Sequence, residues 1–318
     1  RKIRRLGIAV AIVVALYSVG WFFVASKFET FLKDHLNTRG PVDIECPGLA
    51  TSGFPFLIGF SCDKTEFADR STGNALTAGA FRAAARIYSP GSAVVELDGP
   101  ANVSLSDGSS LSAQWKSLRS SFSAGFSHLK TLSVVGEAVS LNYLSDALPD
   151  SIDARAAHGE LHVRGTGDDL EAAVLARNLE FGVEGGGPVL PMLSTSLQIT
   201  FDGKAGLLQG RPLLATPVGG QLTSFKIEMP DGLYGEMSGP YEIDEDGYIS
   251  GEFKTRLEKL DLWEQHLLKL FPDGGSTISG VAALLRGLAK DDKVNVNLVV
   301  DKGTITLSMV PIGKIPPF

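Results

Sequence analysis

Apolar and polar residues follow three successive patterns along the chain. The first is an unbroken apolar run, Leu6 to Ser26, LGIAVAIVVALYSVGWFFVAS, 21 residues without a charge. A transmembrane helix needs about 20 such residues to cross ~30 Å of hydrocarbon at ~1.5 Å per residue. The run therefore predicts an anchor. The second pattern has a helical period. Phe28, Phe31, Leu32, His35 and Leu36 fall on one face of residues 27–39, and Gly40-Pro41 ends the helix. This predicts a short amphipathic stalk over 27–40, its apolar face docked on the domain that follows, with the membrane surface as the alternative.

From Val42 the period becomes two. Leu197, Ile199 and Phe201 alternate with polar neighbours, as do Phe225, Ile227 and Met229. Val294, Val296, Leu298 and Val300 do the same, followed by Ile305, Leu307 and Met309. Asp-Gly pairs at 98–99, 107–108, 202–203, 231–232, 246–247 and 273–274 read as turns between strands, because such turns need positive φ. One buried and one polar face marks an antiparallel sheet. The stretch 112–127 fits a strand better than a helix because of its serines. Two segments return to the helical period. Leu257, Leu260, Trp263, Leu267, Leu268 and Leu270 form a stripe in 256–271. Ile278, Val281, Leu284, Leu285 and Leu288 form another in 276–290, with Ser276 or Thr277 as the cap. Such a pair covers part of a sheet. Gly182 to Pro188 reads as a loop within one domain.

Charge sharpens the topology. Arg1, Lys2, Arg4 and Arg5 precede the apolar run, which places the N-terminus in the cytoplasm. A cleaved signal peptide would end in small residues. Here Trp21, Phe22 and Phe23 stand at the end of the run, so an uncleaved anchor is expected, with Tyr17 and Trp21 suited to the membrane–water interface. The chain carries −7 overall; beyond the basic tip, 25 basic residues face 36 acidic ones. That surface repels phosphate backbones and excludes nucleic acid as a partner.

Cys46 and Cys62 both lie beyond the anchor. Outside the cytoplasm such a pair oxidises and persists, so a disulfide is expected; two free buried thiols are the alternative. Between them Phe54, Phe56, Leu57 and Phe60 concentrate apolar mass between Gly53 and Gly59. A hairpin feeding the core accounts for this, and so does an apolar lip close to the membrane where lipid enters. His158-Gly-Glu-Leu-His162 superficially resembles a zinc protease box, but that box needs H-E-x-x-H on a helix. These residues read as ordinary strand histidines. No nucleophile elbow, phosphate loop or calcium loop is present, so no catalytic residue, metal or cofactor is expected.

The basic start, the anchor ending Gly20-Trp21-Phe22, and the segment Cys46…Gly53-Phe54-Pro55-Phe56…Cys62 together resemble a known family. Ala93-Val-Val-Glu-Leu-Asp-Gly-Pro100 and Pro311-Ile-Gly-Lys-Ile-Pro-Pro-Phe318 match it too. It is the alphaproteobacterial membrane-anchored domain of unknown function 2125. More distantly the chain is similar to AsmA- and YdgA-like envelope proteins, which implies a curved β-groove and a role in envelope lipid homeostasis. The expected architecture is mainly β: a basic tip and anchor over 1–26, a stalk over 27–40, and an elongated, curved antiparallel periplasmic domain over 41–318 with a helical pair near 256–290. The expected function is non-enzymatic: a single-pass inner-membrane protein binding or conducting an apolar ligand, with membrane lipid as partner. A scaffold for another envelope protein is the alternative.

Overall fold

A computed structural model describes residues 2–36, 42–125, 128–146, 150–183, 187–188, 191–209, 217–307 and 310–317. Gly40-Pro41, Met309 and parts of the 112–127 and Gly182–Pro188 stretches lie outside them. The described chain is mainly antiparallel β, with one long apolar helix at its start and two helices near its end. It forms two compact units, one of Arg1–Ser123 with Asn142–Pro149 and one of Ala124–Leu141 with Asp150–Phe318.

The first unit begins with α1, Lys2–Leu36. Anchor and stalk are one uninterrupted helix, as expected where no glycine or proline breaks the period between Ser26 and Leu36. Ten strands follow: β1 Val42–Glu45, β2 Ala50–Ser52, β3 Leu57–Cys62, β4 Thr65–Asp69, β5 Asn74–Ala78, β6 Phe81–Arg86, β7 Ser89–Leu97, β8 Ala101–Ser104, β9 Ser110–Gln114 and β10 Ser117–Ala124. They pair in two antiparallel runs. One is β1-β4-β5-β8-β9; the other is β2-β3-β6-β7-β10. The chain visits the runs two strands at a time. Asp98-Gly99 is therefore a crossing between runs and not the hairpin turn its sequence predicts: β7 and β8 on either side have different partners. Trp115 holds this crossing, donating its indole N–H to the Leu97 carbonyl at 2.7 Å.

The second unit contains β11 Leu129–Leu144 as far as Leu141, β12 Ile152–Thr166, β13 Asp169–Val183, β14 Gly187–Pro188, β15 Leu193–Phe201, β16 Val218–Glu228, β17 Tyr234–Ile243 and β18 Ile249–Glu258. Helices α2 Leu260–Leu270 and α3 Gly275–Leu288 follow, then β19 Lys293–Asp301, β20 Thr304–Leu307 and β21 Val310–Lys314. From β12 the strands form an antiparallel meander, β12-β13-β15-β16-β17-β18-β19-β20-β21, with β14 also on β13. Asp-Gly turns with positive-φ glycine join β16 to β17 at Gly232 and β17 to β18 at Gly247.

The meander buries its apolar face by bending. Register shifts interrupt β15–β16 and β16–β17, and bulges of this kind increase local twist and curl a sheet. Val218, Leu222, Tyr241, Phe253 and Val300 are buried on the inner side, ringed by Leu197, Ile199, Phe201 and Phe225. The helical pair covers a second patch, where Leu260 and Leu285 close over Val294 and Leu307.

Two details of the helical pair differ from the sequence reading. Leu257 belongs to β18, where it opposes Val294. It mimics the helical stripe because it stands three residues before Leu260. Lys259, at φ 64°, makes the turn from strand to helix. The second helix starts at Gly275 with no side-chain cap, so neither Ser276 nor Thr277 caps it. Asp273-Gly274 lies in a single 3-10 turn between the helices.

Candidate functional site

The segment between the cysteines lies along α1. Cys46 and Cys62 are joined in a disulfide with their Cα atoms 5.1 Å apart. Cys46 follows β1 and Cys62 ends β3, so the bond ties the two strand runs of the first unit together. From Cys62 the chain reads back through β3 to a turn at Gly53–Leu57, closed by the Leu57 amide donating to the Gly53 carbonyl at 2.8 Å. Gly53 has φ 112°, and a Cβ there would sit 2.8 Å from Leu57 backbone, so the turn requires glycine.

Three of the four anchor aromatics grip this turn. The Tyr17 hydroxyl donates to the Pro55 carbonyl. The Trp21 indole donates to the Leu57 carbonyl at 3.0 Å. Phe54 inserts between rings, edge-on to Trp21 at 5.4 Å and stacked on Phe22 at 5.5 Å. Trp21 is only 8% exposed and Ala25 3%. Such aromatic pairs contribute about 0.5–1.5 kcal/mol each beyond their buried area. Phe23 points elsewhere and remains exposed, with the Lys27 ammonium 5.8 Å over its ring.

Contact continues along the stalk. Thr51 donates to Glu29 at 3.1 Å, and Phe28 meets Phe60 edge-on at 6.3 Å. Phe60 is half-buried and also packs on Phe81, 5.5 Å away. The four apolar hairpin residues therefore divide. Phe60 enters the interior and Phe54 binds the helix, while Phe56 is 66% exposed and Leu57 39%. The stalk's predicted apolar face also divides: Phe28 docks, but Phe31 stays exposed, with the His35 ring tilted against it at 4.0 Å.

The sequence reading missed the neighbours of Phe56. The Ile87 amide donates to the Phe56 carbonyl at 3.1 Å, which sets the β6–β7 turn beside the hairpin tip. Ile87 and Tyr88 in that turn are exposed. Two apolar residues at a turn carry no signal until β3 and β6 are known to pair.

The second unit holds two further features. Between α2, α3 and β21 lies a cavity of about 220 Å³ lined by Leu260, Trp263, Leu267, Ile278, Val281 and Ile312, with Glu264 at its margin. Arg286 bonds both Asp261 and Glu264 across the helix pair, one guanidinium shared by two carboxylates. The histidines of β12 form a hydrogen-bonded chain. His158 Nδ1 meets Glu137 at 2.7 Å and Nε2 meets Glu160 at 2.6 Å. Glu160 also meets His162 Nε2 at 2.8 Å, and His162 Nδ1 meets Ser133 at 2.9 Å. The carboxylates Glu160 and Glu137 raise the His158 pKa. The imidazoles hold Glu160 below the usual carboxylate range, His162 foremost. A polar cavity of about 380 Å³ opens beside Ser133, His162, Arg164 and Glu171. Among the described residues no group of three or more His, Cys, Asp or Glu is arranged to hold a metal.

No curated protein and no solved structure matches the chain. One family model does, over residues 21–316, described as an uncharacterised protein conserved in bacteria. The match begins at the aromatic that holds the hairpin and takes in the disulfide, both strand runs and the helical pair. The chain belongs to this bacterial family, the domain of unknown function 2125.

Proposed function

We propose that the protein is a non-enzymatic, single-pass membrane protein of the bacterial envelope that binds an apolar ligand of the lipid class. The N-terminus is cytoplasmic and the β-rich bulk is periplasmic. The observation that carries this reading is the cavity between α2, α3 and β21. Its walls are mostly leucine, isoleucine, valine and tryptophan side chains, with Thr277 and Glu264 among them, and Glu264 is bonded to Arg286. An apolar concavity with few polar groups suits an acyl chain. The basic tip before α1 supports the orientation, and the resemblance to AsmA- and YdgA-like envelope proteins points to the same compartment.

The test is mass spectrometry of lipid retained by the full chain after purification in mild detergent. Retained acyl lipid is expected. Leu267→Trp, which fills the cavity, should cut retention about tenfold, equivalent to ~1.4 kcal/mol of binding, with the circular dichroism spectrum unchanged. A wild-type chain that retains no lipid overturns the proposal, as does a filled variant that retains as much.

A further inference from the structure

The contacts between α1 and the inter-cysteine hairpin fix a depth. Pro55 meets Tyr17, Leu57 meets Trp21 and Phe60 meets Phe28. From Trp21 to Phe28 seven residues of helix rise about 10 Å, and from Leu57 to Phe60 three residues of strand cover about the same length. Hairpin and helix therefore run side by side in the same direction from these contacts. Tyr17 lies nine residues before Ser26, the last residue of the apolar run, or about 13 Å back into it. A half-bilayer of hydrocarbon is ~15 Å thick. If α1 spans the membrane, the hairpin tip is carried well below the surface.

Loop backbone enters hydrocarbon only where its polar groups are paired within the protein. The tip meets that condition at several atoms. Pro55 has no N–H. Its carbonyl accepts from Tyr17, the Phe56 carbonyl from the Ile87 amide, and the Leu57 carbonyl from Trp21, while the Leu57 amide bonds Gly53. The side chains that remain exposed there are Phe54, Phe56, Leu57, Ile87 and Tyr88. Arg86, opposite Leu57 in the β3–β6 ladder, is the nearest cation on these strands. It sits near the level of Trp21, and its long stem allows the guanidinium to reach lipid phosphates.

We infer that the Gly53–Leu57 turn and the Ile87-Tyr88 turn form a wedge inserted in the membrane leaflet on the side of the β-rich domain, packed against α1. Its partner is the acyl and glycerol region of the bilayer. The wedge is a second membrane attachment beside the helix, and it is independent of the α2–α3 cavity.

The experiment is spin-label accessibility in the full chain, reconstituted in vesicles of phosphatidylethanolamine and phosphatidylglycerol. Cys46 and Cys62 are bonded to each other, so Tyr88→Cys provides the reactive thiol. Val13→Cys, in mid-helix, reports whether α1 lies in lipid. Thr72→Cys reports the β4–β5 turn, next to Asp69, which pairs with Val42 beyond the far end of α1. The label at Tyr88 should collide severalfold more with oxygen than with a water-soluble nickel chelate, as at Val13, and Thr72 should show the reverse. Phe56→Glu should move the Tyr88 label towards the Thr72 pattern. A Tyr88 label resembling Thr72 while Val13 reports lipid overturns the inference. Val13 itself in water overturns it too, by removing the anchor. Neither result bears on lipid held in the cavity.

Discussion

The indole nitrogen of Trp21 donates to the backbone carbonyl of Leu57 at 3.0 Å, across 36 residues of chain. Trp21, suited by its position to the membrane–water interface, thus also makes a buried structural bond between α1 and the hairpin of the first unit. Trp21→Phe keeps an aromatic ring on Phe54 but leaves the carbonyl without its donor, which costs roughly 1–3 kcal/mol. Trp21→Ala also removes the buried ring and should cost roughly 3–5 kcal/mol. Urea unfolding of the full chain in detergent, followed by circular dichroism, should rank the three proteins in that order. A Phe variant as stable as wild type would show that the hydrogen bond contributes nothing.

The disulfide should matter beyond its local loop because it joins two strand runs. Cross-linking residues 16 apart in sequence stabilises by about 3 kcal/mol in the chain-entropy model. The double variant Cys46→Ser with Cys62→Ser should lose about that much in the same urea experiment. The Tyr17–Pro55 contact should loosen as well, read as faster protease cleavage within residues 53–57. A variant that keeps wild-type stability would mean the two runs are held together without the bond.

Much of the meander was legible because its strands keep strict alternation up to Asp-Gly turns, as at Phe225, Ile227 and Gly232. Of the long strands, β12 was legible only around residues 158–162 and β13 was not. In β12 one face is His158, Glu160, His162 and Arg164, while the other mixes Leu161 and Val163 with Gly159 and Ala157, so the apolar contrast is shallow. In β13 a register shift between Ala176 and Leu179, with Asn178 at φ 51°, moves the pattern out of phase. At the hairpin, composition revealed an apolar cluster, but only the fold shows which ring goes where. Phe54 and Phe60 find partners on α1 and β6, and the Phe56 carbonyl accepts from the Ile87 amide, all from residues more than 20 positions away. Turn chemistry misled at Asp98-Gly99 because strand pairing in the first unit alternates between two runs.

The curvature of the second unit depends on glycines inside strands. A Cβ at Gly239 would fall 2.0 Å from the Glu252 carbonyl oxygen, and one at Gly220 1.9 Å from that of Thr200. Backbone atoms cannot rotate away, so strands must shift. Gly239→Ala should destabilise by roughly 1–3 kcal/mol or more. Gly159→Ala, on β12, meets nothing within 4 Å and should stay within about 0.5 kcal/mol of wild type. Thermal unfolding compares the two directly; equal midpoints would show that the close strand approach at Gly239 is not required.

The His158 cluster predicts a dependence on pH with a definite sign. His158 bonds Glu160 and Glu137, and these carboxylates raise its pKa above the ordinary 6.5. A group whose folded pKa is raised contributes stability that is fully present below its unfolded pKa and is lost as pH rises through the folded value. Glu160 is held below its ordinary 4.5 by His162 and His158, so its contribution is present above 4.5 and lost as pH falls through the lowered value. The cluster therefore stabilises the second unit most between about pH 4.5 and 6.5, and weakens it on either side. The difference in urea midpoint between wild type and His158→Gln should be larger at pH 5.5 than at pH 8.5. A difference that is constant with pH, or larger at pH 8.5, would mean that His158 is held neutral between its two carboxylates.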